Sequence, residues 1–223
     1  MEAMTSREPV AGDTARERAA AAPVVTKPIT ADPGPLGLGA FALTTFMLSM
    51  YNAHLVTQAG LTTVIAVALA YGGIAQLLAG MWEFRTGNTF GATAFSSFGA
   101  FWISFFALIQ FKLIPGTPGS KPYNAAVGLY LIAWGIFTTY MFVASLRTTA
   151  AVALVFILLA PTFFLLGIGN ANGDANIIKV GGWVGIVTAG AAWYASFAGV
   201  VNSTFGRVLM PVIDLKERIG ARS

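Results

Sequence analysis

The chain has 223 residues, 56% of them hydrophobic and only 10% charged, with mean hydropathy +0.72 and a formal net charge of +4. Soluble domains carry about 25% charged residues, so a soluble globular fold is excluded, and the modest positive charge gives no footprint for nucleic acid. The absence of cysteine excludes disulfides and thiolate metal sites, and a single histidine leaves no basis for a histidine-built one.

In chain order, residues 1–34 stand apart. They carry Arg7, Glu8, Asp13, Arg16, Glu17 and Arg18, then Pro23, Lys27 and Pro28. No apolar run precedes a cleavage site, so the segment is not read as a signal peptide. Its low hydrophobicity and mixed charge predict a disordered tail. Six apolar stretches follow, each near the 20 or so residues that cross a bilayer. They are Leu36–His54, Thr62–Phe84, Thr89–Phe111, Ala125–Ser145, Thr149–Ile168 and Ile177–Val201. The expected class is therefore an all-α integral membrane protein with six transmembrane helices. Its expected layout is a tail over 1–34, a membrane domain over 35–203 and a short basic tail over 204–223. Loops are expected at Pro115-Gly-Thr-Pro-Gly-Ser-Lys-Pro122 and at Gly169-Asn-Ala-Asn-Gly-Asp174.

With the N-terminus in the cytoplasm, six spans return the C-terminus to the same side. Ten of the thirteen lysines and arginines then face inward, against Lys112, Lys121 and Lys179 outside. This asymmetry predicts both termini cytoplasmic.

Between Leu61 and Phe111 the only charged residues are Glu83 and Arg85. A carboxyl at membrane depth is expensive and faces a cavity or a partner. The link Arg85-Thr-Gly-Asn88 is short, so the free N–H groups of the third helix lie close to Glu83. Two readings of Glu83 stand: a proton relay, or a structural pair with Arg85, Arg147 or that helix end. Small and polar residues recur on single faces: Gly73, Gln76, Gly80, Glu83 and Gly87 on span two; Thr89, Thr93, Ser97, Ala100 and Ser104 on span three; Gly182, Gly185, Ala189, Ala192, Ser196 and Gly199 on span six. On span one, Phe41, Thr44, Thr45 and Leu48 share a side. Such stripes let helix backbones approach, which is the reading for span six. On spans two and three, Gln76, Glu83, Thr93 and Ser97 read as lining a solute path, against the alternative that their hydroxyls only bond back to their own helices. His54 reads as a solvated interfacial histidine, and Trp82, Trp134, Trp183, Trp193, Tyr51, Tyr130 and Tyr140 as packing or interfacial aromatics.

Several of these stretches resemble the acetate uptake transporter family, which includes bacterial succinate–acetate permeases and fungal ammonia and acetate export proteins. The family's opening motif, Asn-Pro-Ala-Pro-Leu-Gly-Leu, stands here as Asp32-Pro33-Gly34-Pro35-Leu36-Gly37-Leu38. Further likeness lies in Tyr71-Gly-Gly-Ile-Ala-Gln76, Ala79-Gly80, Glu83, Gly87-Asn-Thr-Phe-Gly91, Thr93-Ala-Phe95, Phe101-Trp102, Ile168-Gly-Asn170 and Phe205-Gly-Arg207. The resemblance runs over about residues 32–211. It implies a homohexamer in the plasma membrane, each six-helix subunit with its own pore, carrying acetate and in some members succinate. It also implies a hydrophobic constriction, which falls on Phe41, Phe98 and Leu159. The chain departs from the pattern at Asp32 for Asn, at Gly34 for Ala, and at Phe98, where bacterial relatives often carry Tyr. The last change removes a hydroxyl from the constriction and bears on substrate range.

A ring of this kind gates by excluding water, and a bare anion crosses it badly. The acetate methyl can face the ring while Thr44, Thr45, Gln76, Asn88 and Thr93 supply neutral donors on either side. Acetate at neutral pH is charged, so either the anion crosses alone or a proton accompanies it. Two alternatives stay open: a pore for neutral solutes such as ammonia or protonated acid, and a non-transporting membrane sensor or scaffold. No nucleophile–base pair, metal cluster or phosphate loop is present, so neither catalysis nor a cofactor is expected.

Overall fold

The computed structural model describes residues 30–215. Most of the expected N-terminal tail, and Lys216, Arg218 and Arg222 of the C-terminal one, lie outside the described residues. The chain from Asp32 onward is one compact unit, and everything below concerns it.

Six helices are long and apolar enough to cross a membrane: α1 (Gly34–Asn52), α2 (Thr62–Thr86), α3 (Thr89–Gln110), α4 (Lys121–Ser145), α5 (Ala150–Asn172) and α6 (Ala175–Phe205). Each matches an expected span, and the differences at the ends have local causes. Pro122 sits in the first turn of α4, where a missing N–H costs nothing, so that helix starts four residues early. The expected loop over 169–174 is almost entirely helical. Asn170 donates its side-chain N–H to the carbonyl of Leu166 (2.8 Å), and α5 runs on to Asn172. Only Gly173, at φ 67°, breaks the helix, and Asp174 then caps α6 through the N–H groups of Asn176 (2.8 Å) and Ile177 (3.2 Å). The same glycine-then-cap device joins α2 to α3: Gly87 has φ 76°, and Asn88 accepts from the N–H of Gly91 at 3.1 Å. At the opposite end of the bundle, α1 stops where His54, exposed and also left-handed at φ 58°, turns the chain.

α1 packs along α6, α6 along α5, α5 along α4, and α2 along α3. The seam between α1 and α6 is made by small residues, as expected from the sequence. A Cβ on Gly182 would strike the backbone of Asn52 and Ala53, one on Gly185 would strike the Ser49 hydroxyl, and Gly199 receives the Pro35 ring. Ser196 closes the seam by donating to the Pro35 carbonyl at 2.6 Å. Gly80 and Gly99 do the same between α2 and α3, against the backbones of Phe95–Ser96 and Leu77. The glycines of span two therefore serve packing rather than a path.

One feature had no signal in the sequence pattern. Ala68–Ala75, the middle of α2, is a π-helix. This wider winding places Gly72 against Thr44 of α1 and Gly73 against Ile103 of α3, and it delivers Gln76 to the interior at the point where α-geometry resumes. Beyond α6 the chain folds back. Asn202 brackets the backbone of Leu209 and Met210, and Ile213 and Leu215 pair with Ala150 and Thr148 at the α4–α5 turn. The start of α1, the α4–α5 turn and the end of α6 thus share one end of the bundle.

Candidate functional site

Phe41 from α1, Phe98 from α3 and Leu159 from α5 meet in one apolar cluster, each at most 4% exposed. The rings of Phe41 and Phe98 lie 5.7 Å apart, centre to centre, at 52°. Phe98 is fixed in turn by Phe137 (5.4 Å, edge to face), Phe156 (6.0 Å), Trp134 (6.2 Å) and Phe163 (6.3 Å, stacked). Trp134 and Tyr130 thus pack inward, whereas Trp82, Trp183 and Tyr140 are about half exposed on the outside of the bundle.

Phe41 and Leu159 line two small cavities at once. The proximal one, toward the start of α1, has about 20 Å³ and is also lined by Leu38, Gln76, Phe98 and Phe156. The distal one has about 40 Å³ and is also lined by Thr45, Ser49, Asn52, Trp102 and Thr162. A water needs roughly 10–15 Å³ of such space, so each holds a few waters at most. The distal cavity shares Leu48, Asn52 and Phe101 with a vestibule of about 290 Å³ between the far ends of α1, α3, α4 and α5.

Buried polar atoms in proteins are almost always hydrogen-bonded, and an exception needs a reason. Gln76 Oε1 beside the proximal cavity, and Thr45 Oγ1 and Trp102 Nε1 beside the distal one, have no partner among the described residues. These residues are 1%, 6% and 2% exposed. Polar atoms left unpaired on both sides of an apolar ring offer weak, neutral contacts to a solute that passes from one cavity to the other. None of the residues lining either small cavity is charged.

The other candidates from the sequence fall elsewhere. Thr44 is fully buried, but its hydroxyl donates to the Ala40 carbonyl at 2.9 Å and its side chain fills the space above Gly72, so it packs α1 on α2. Thr93 and Ser97 are half-buried on α3 and line none of the three cavities, and Ser104, on the same stripe, is engaged with Tyr130 (2.7 Å). Asn88 is the cap of α3. Within the opening motif, Asp32 accepts from the N–H of Gly34 (2.9 Å) and the Pro33 carbonyl accepts from Gly37 (3.1 Å). Pro35 seals against α6, Gly37 lies under the Phe95 ring, and Leu36 is exposed. Leu38 alone of that motif reaches a cavity.

Glu83 is 2% exposed but lies at the α2–α3 corner, outside the three cavities. Its carboxylate accepts from the Thr86 hydroxyl (3.0 Å) and from the Asn88 side chain, with Gly91 of α3 pressed against it and Asp32 nearby. Arg85 and Arg147 are both exposed and neither is its partner. Of the three structural partners weighed for Glu83, the capped start of α3 is the one it touches.

Trp102, Ser49, Asn52 and Thr162 escaped the sequence reading as cavity residues. Helical spacing held the signal: Trp102 is one turn beyond Phe98, and Thr45, Ser49 and Asn52 continue the face that begins at Phe41.

Comparison with known proteins gives a consistent result. Residues 15–217 match the profile of the GPR1/FUN34/yaaH family. Acetate permease A of Emericella nidulans is 45% identical over 197 residues, which is 82% of this chain and 65% of that longer protein. The succinate-acetate/proton symporter SatP of Escherichia coli K12 is 40% identical over 182 residues, 82% of this chain and 95% of that one. The solved structure described as the bacterial acetate channel SatP superposes with a TM-score of 0.75 at 38% identity, covering 82% of this chain and 99% of that one.

Proposed function

The chain belongs to the GPR1/FUN34/yaaH family, and from that premise we propose that it moves acetate and related small carboxylates, succinate among them, across a membrane. The observation that carries the reading is the pair of small cavities meeting at Phe41 and Leu159, with Gln76 unpaired on one side and Thr45 and Trp102 on the other. The methyl group of acetate slides against Phe41, Phe98 and Leu159. Its carboxylate is passed between the Gln76 NH₂, which meets it once the side-chain amide turns its unpaired oxygen away, and the Thr45 hydroxyl and Trp102 indole N–H. No lysine or arginine lies on this route to hold the anion too tightly.

Counted over the whole sequence with its two tails, the lysines and arginines favour a cytoplasmic side for the end where α1 starts and α6 finishes. The proximal cavity then faces the cytoplasm and the distal vestibule the outside of the cell. Each subunit carries its own path, and subunits assemble as a homohexamer in the plasma membrane. Glu83, off the path, holds the α2–α3 corner together.

The relatives' names, a proton symporter and a channel, divide on proton coupling. The uncharged walls of both cavities suit a bare anion in weak contact and also a neutral acid. Flux of labelled acetate into liposomes holding the purified protein separates the two, first under imposed voltage at matched pH and then across a pH gradient. Voltage-driven flux without proton movement means an anion channel. Flux that requires the pH gradient and acidifies the lumen means proton-coupled or neutral-acid passage. No flux of any short carboxylate through folded protein ends the reading and favours a sensor or scaffold role for the charged tail.

A further inference from the structure

The vestibule is too large and too apolar for acetate alone. Its volume of about 290 Å³ approaches the range of small-molecule binding sites, roughly 300–1,000 Å³, whereas the two cavities below it hold about 40 and 20 Å³. Its wall includes Leu108, Ile109, Leu113, Ile114, Val127 and Leu131. A one-carbon methyl buries almost nothing against such a wall.

At its floor the vestibule is continuous with the distal cavity through Leu48, Asn52 and Phe101. There the two unpartnered groups wait, the Trp102 indole, 2% exposed, and the Thr45 hydroxyl, 6% exposed. An indole N–H only donates, so what it accepts as a partner is an acceptor such as a carboxylate oxygen. An apolar chamber that narrows onto uncharged donors has the shape and polarity of a carboxylate with a hydrocarbon tail. The head reaches the floor and the tail stays in the chamber.

We propose that the vestibule is a binding site for monocarboxylates with four- to six-carbon chains, which lodge there and obstruct acetate instead of passing. The inference rests on the reading of this route as the acetate path. The obstruction follows from the requirement that a conducted solute be bound weakly enough to leave. Each methylene buried in the chamber tightens binding by about fourfold, and so lengthens the stay by a similar factor. Beyond the constriction the proximal cavity cannot receive a chain of that length, so the molecule must give up the apolar wall before anything replaces it.

The test uses exchange of labelled acetate at matched, buffered pH in liposomes bearing the full-length protein, with butyrate, pentanoate and hexanoate as competitors. A calorimetric titration of hexanoate into the purified protein runs in parallel. The half-inhibitory concentration should fall about sixteenfold from butyrate to hexanoate, two methylenes at fourfold each. Hexanoate binding should weaken at least tenfold in Leu108→Asn and in Val127→Asn, while acetate, with one methyl to lose, weakens less than threefold. Two substitutions on different helices guard against a variant that does not fold. Inhibition that does not depend on chain length, or hexanoate affinity unchanged in both folded variants, overturns the proposal. If acetate exchange is absent the transport reading fails, and the calorimetric arm still decides whether the vestibule binds a carboxylate.

Discussion

The seam between α1 and α6 and the seam among α3, α4 and α5 are built on opposite principles. Along the first, Gly182, Gly185 and Gly199 let backbone rest on backbone, and Ser196 hydrogen-bonds across it. No α6 residue lines any of the three cavities, although one pair of rings, Phe46 and Trp193 at 5.1 Å, does meet across this seam. Along the second, Phe98, Phe101, Trp134, Phe137, Phe156 and Phe163 make ring-to-ring contacts at 5.3–6.3 Å. Rings that meet edge to face fill space imperfectly, and the cavities lie beside them. A membrane bundle without a hydrophobic driving force between its helices can thus be rigid along one seam and porous along another. Glycines mark the close seam, and aromatic rings mark the proposed route.

The comparison breaks most severely at Gly182. Leucine there would drive its Cβ into the Asn52–Ala53 backbone, a worse case than the overpacking that costs about 1–3 kcal/mol in soluble cores. Gly182→Leu should yield almost no monodisperse protein on size exclusion, whereas a leucine at Gly190, which has open space around its Cβ position, should behave as the parent.

Phe98→Ala is the corresponding change on the aromatic seam. Removing a buried ring costs about 3–5 kcal/mol where the site cannot collapse, so the melting temperature should fall. The surviving protein should admit succinate at least tenfold better relative to acetate, measured as competing uptake. Unchanged selectivity in folded protein would remove Phe98 from the gate.

A finer contrast sits in two adjacent threonines. Thr45→Val deletes an unpartnered hydroxyl at the distal cavity and should weaken acetate uptake roughly two- to tenfold, the worth of one hydrogen bond of about 0.5–1.5 kcal/mol. Thr44→Val removes a hydroxyl already spent on the Ala40 carbonyl and should change uptake less than twofold. Smallest of all should be Glu83→Gln, which keeps the side chain's size and one acceptor oxygen and removes its charge. Uptake and its pH profile should stay within about twofold of the parent, and a flattened profile in folded protein would make Glu83 a proton relay.

The six spans were legible because a bilayer demands about 20 apolar residues in a row, a constraint that local sequence carries by itself. The α1–α6 seam was legible for a similar reason, since glycine and alanine at helical spacing have few other uses in a membrane. The π-stretch of α2 was not legible, because it depends on Thr44 filling the space above Gly72 and Ile103 that above Gly73, contacts across helices that no window along the chain reveals. The loop expected over 169–174 failed for the opposite reason. Its asparagines look like turn residues, yet Asn170 satisfies itself on the helix it belongs to. Polar residues on a helix face also overstated the route. Thr44, Thr93 and Ser97 share that character with Thr45 and Gln76, and only the packing of neighbouring helices decides which of them meets a cavity.

The account turns on one claim, that acetate crosses where Phe41 and Leu159 line both small cavities. Its most direct test is acetate exchange by purified protein in liposomes, for the parent and for Leu159→Trp, which fills the junction between the cavities. The account predicts saturable exchange above protein-free liposomes for the parent, and exchange at least tenfold slower for a Leu159→Trp protein that elutes as the parent does. Equal exchange by the two would place the acetate route somewhere else in the molecule.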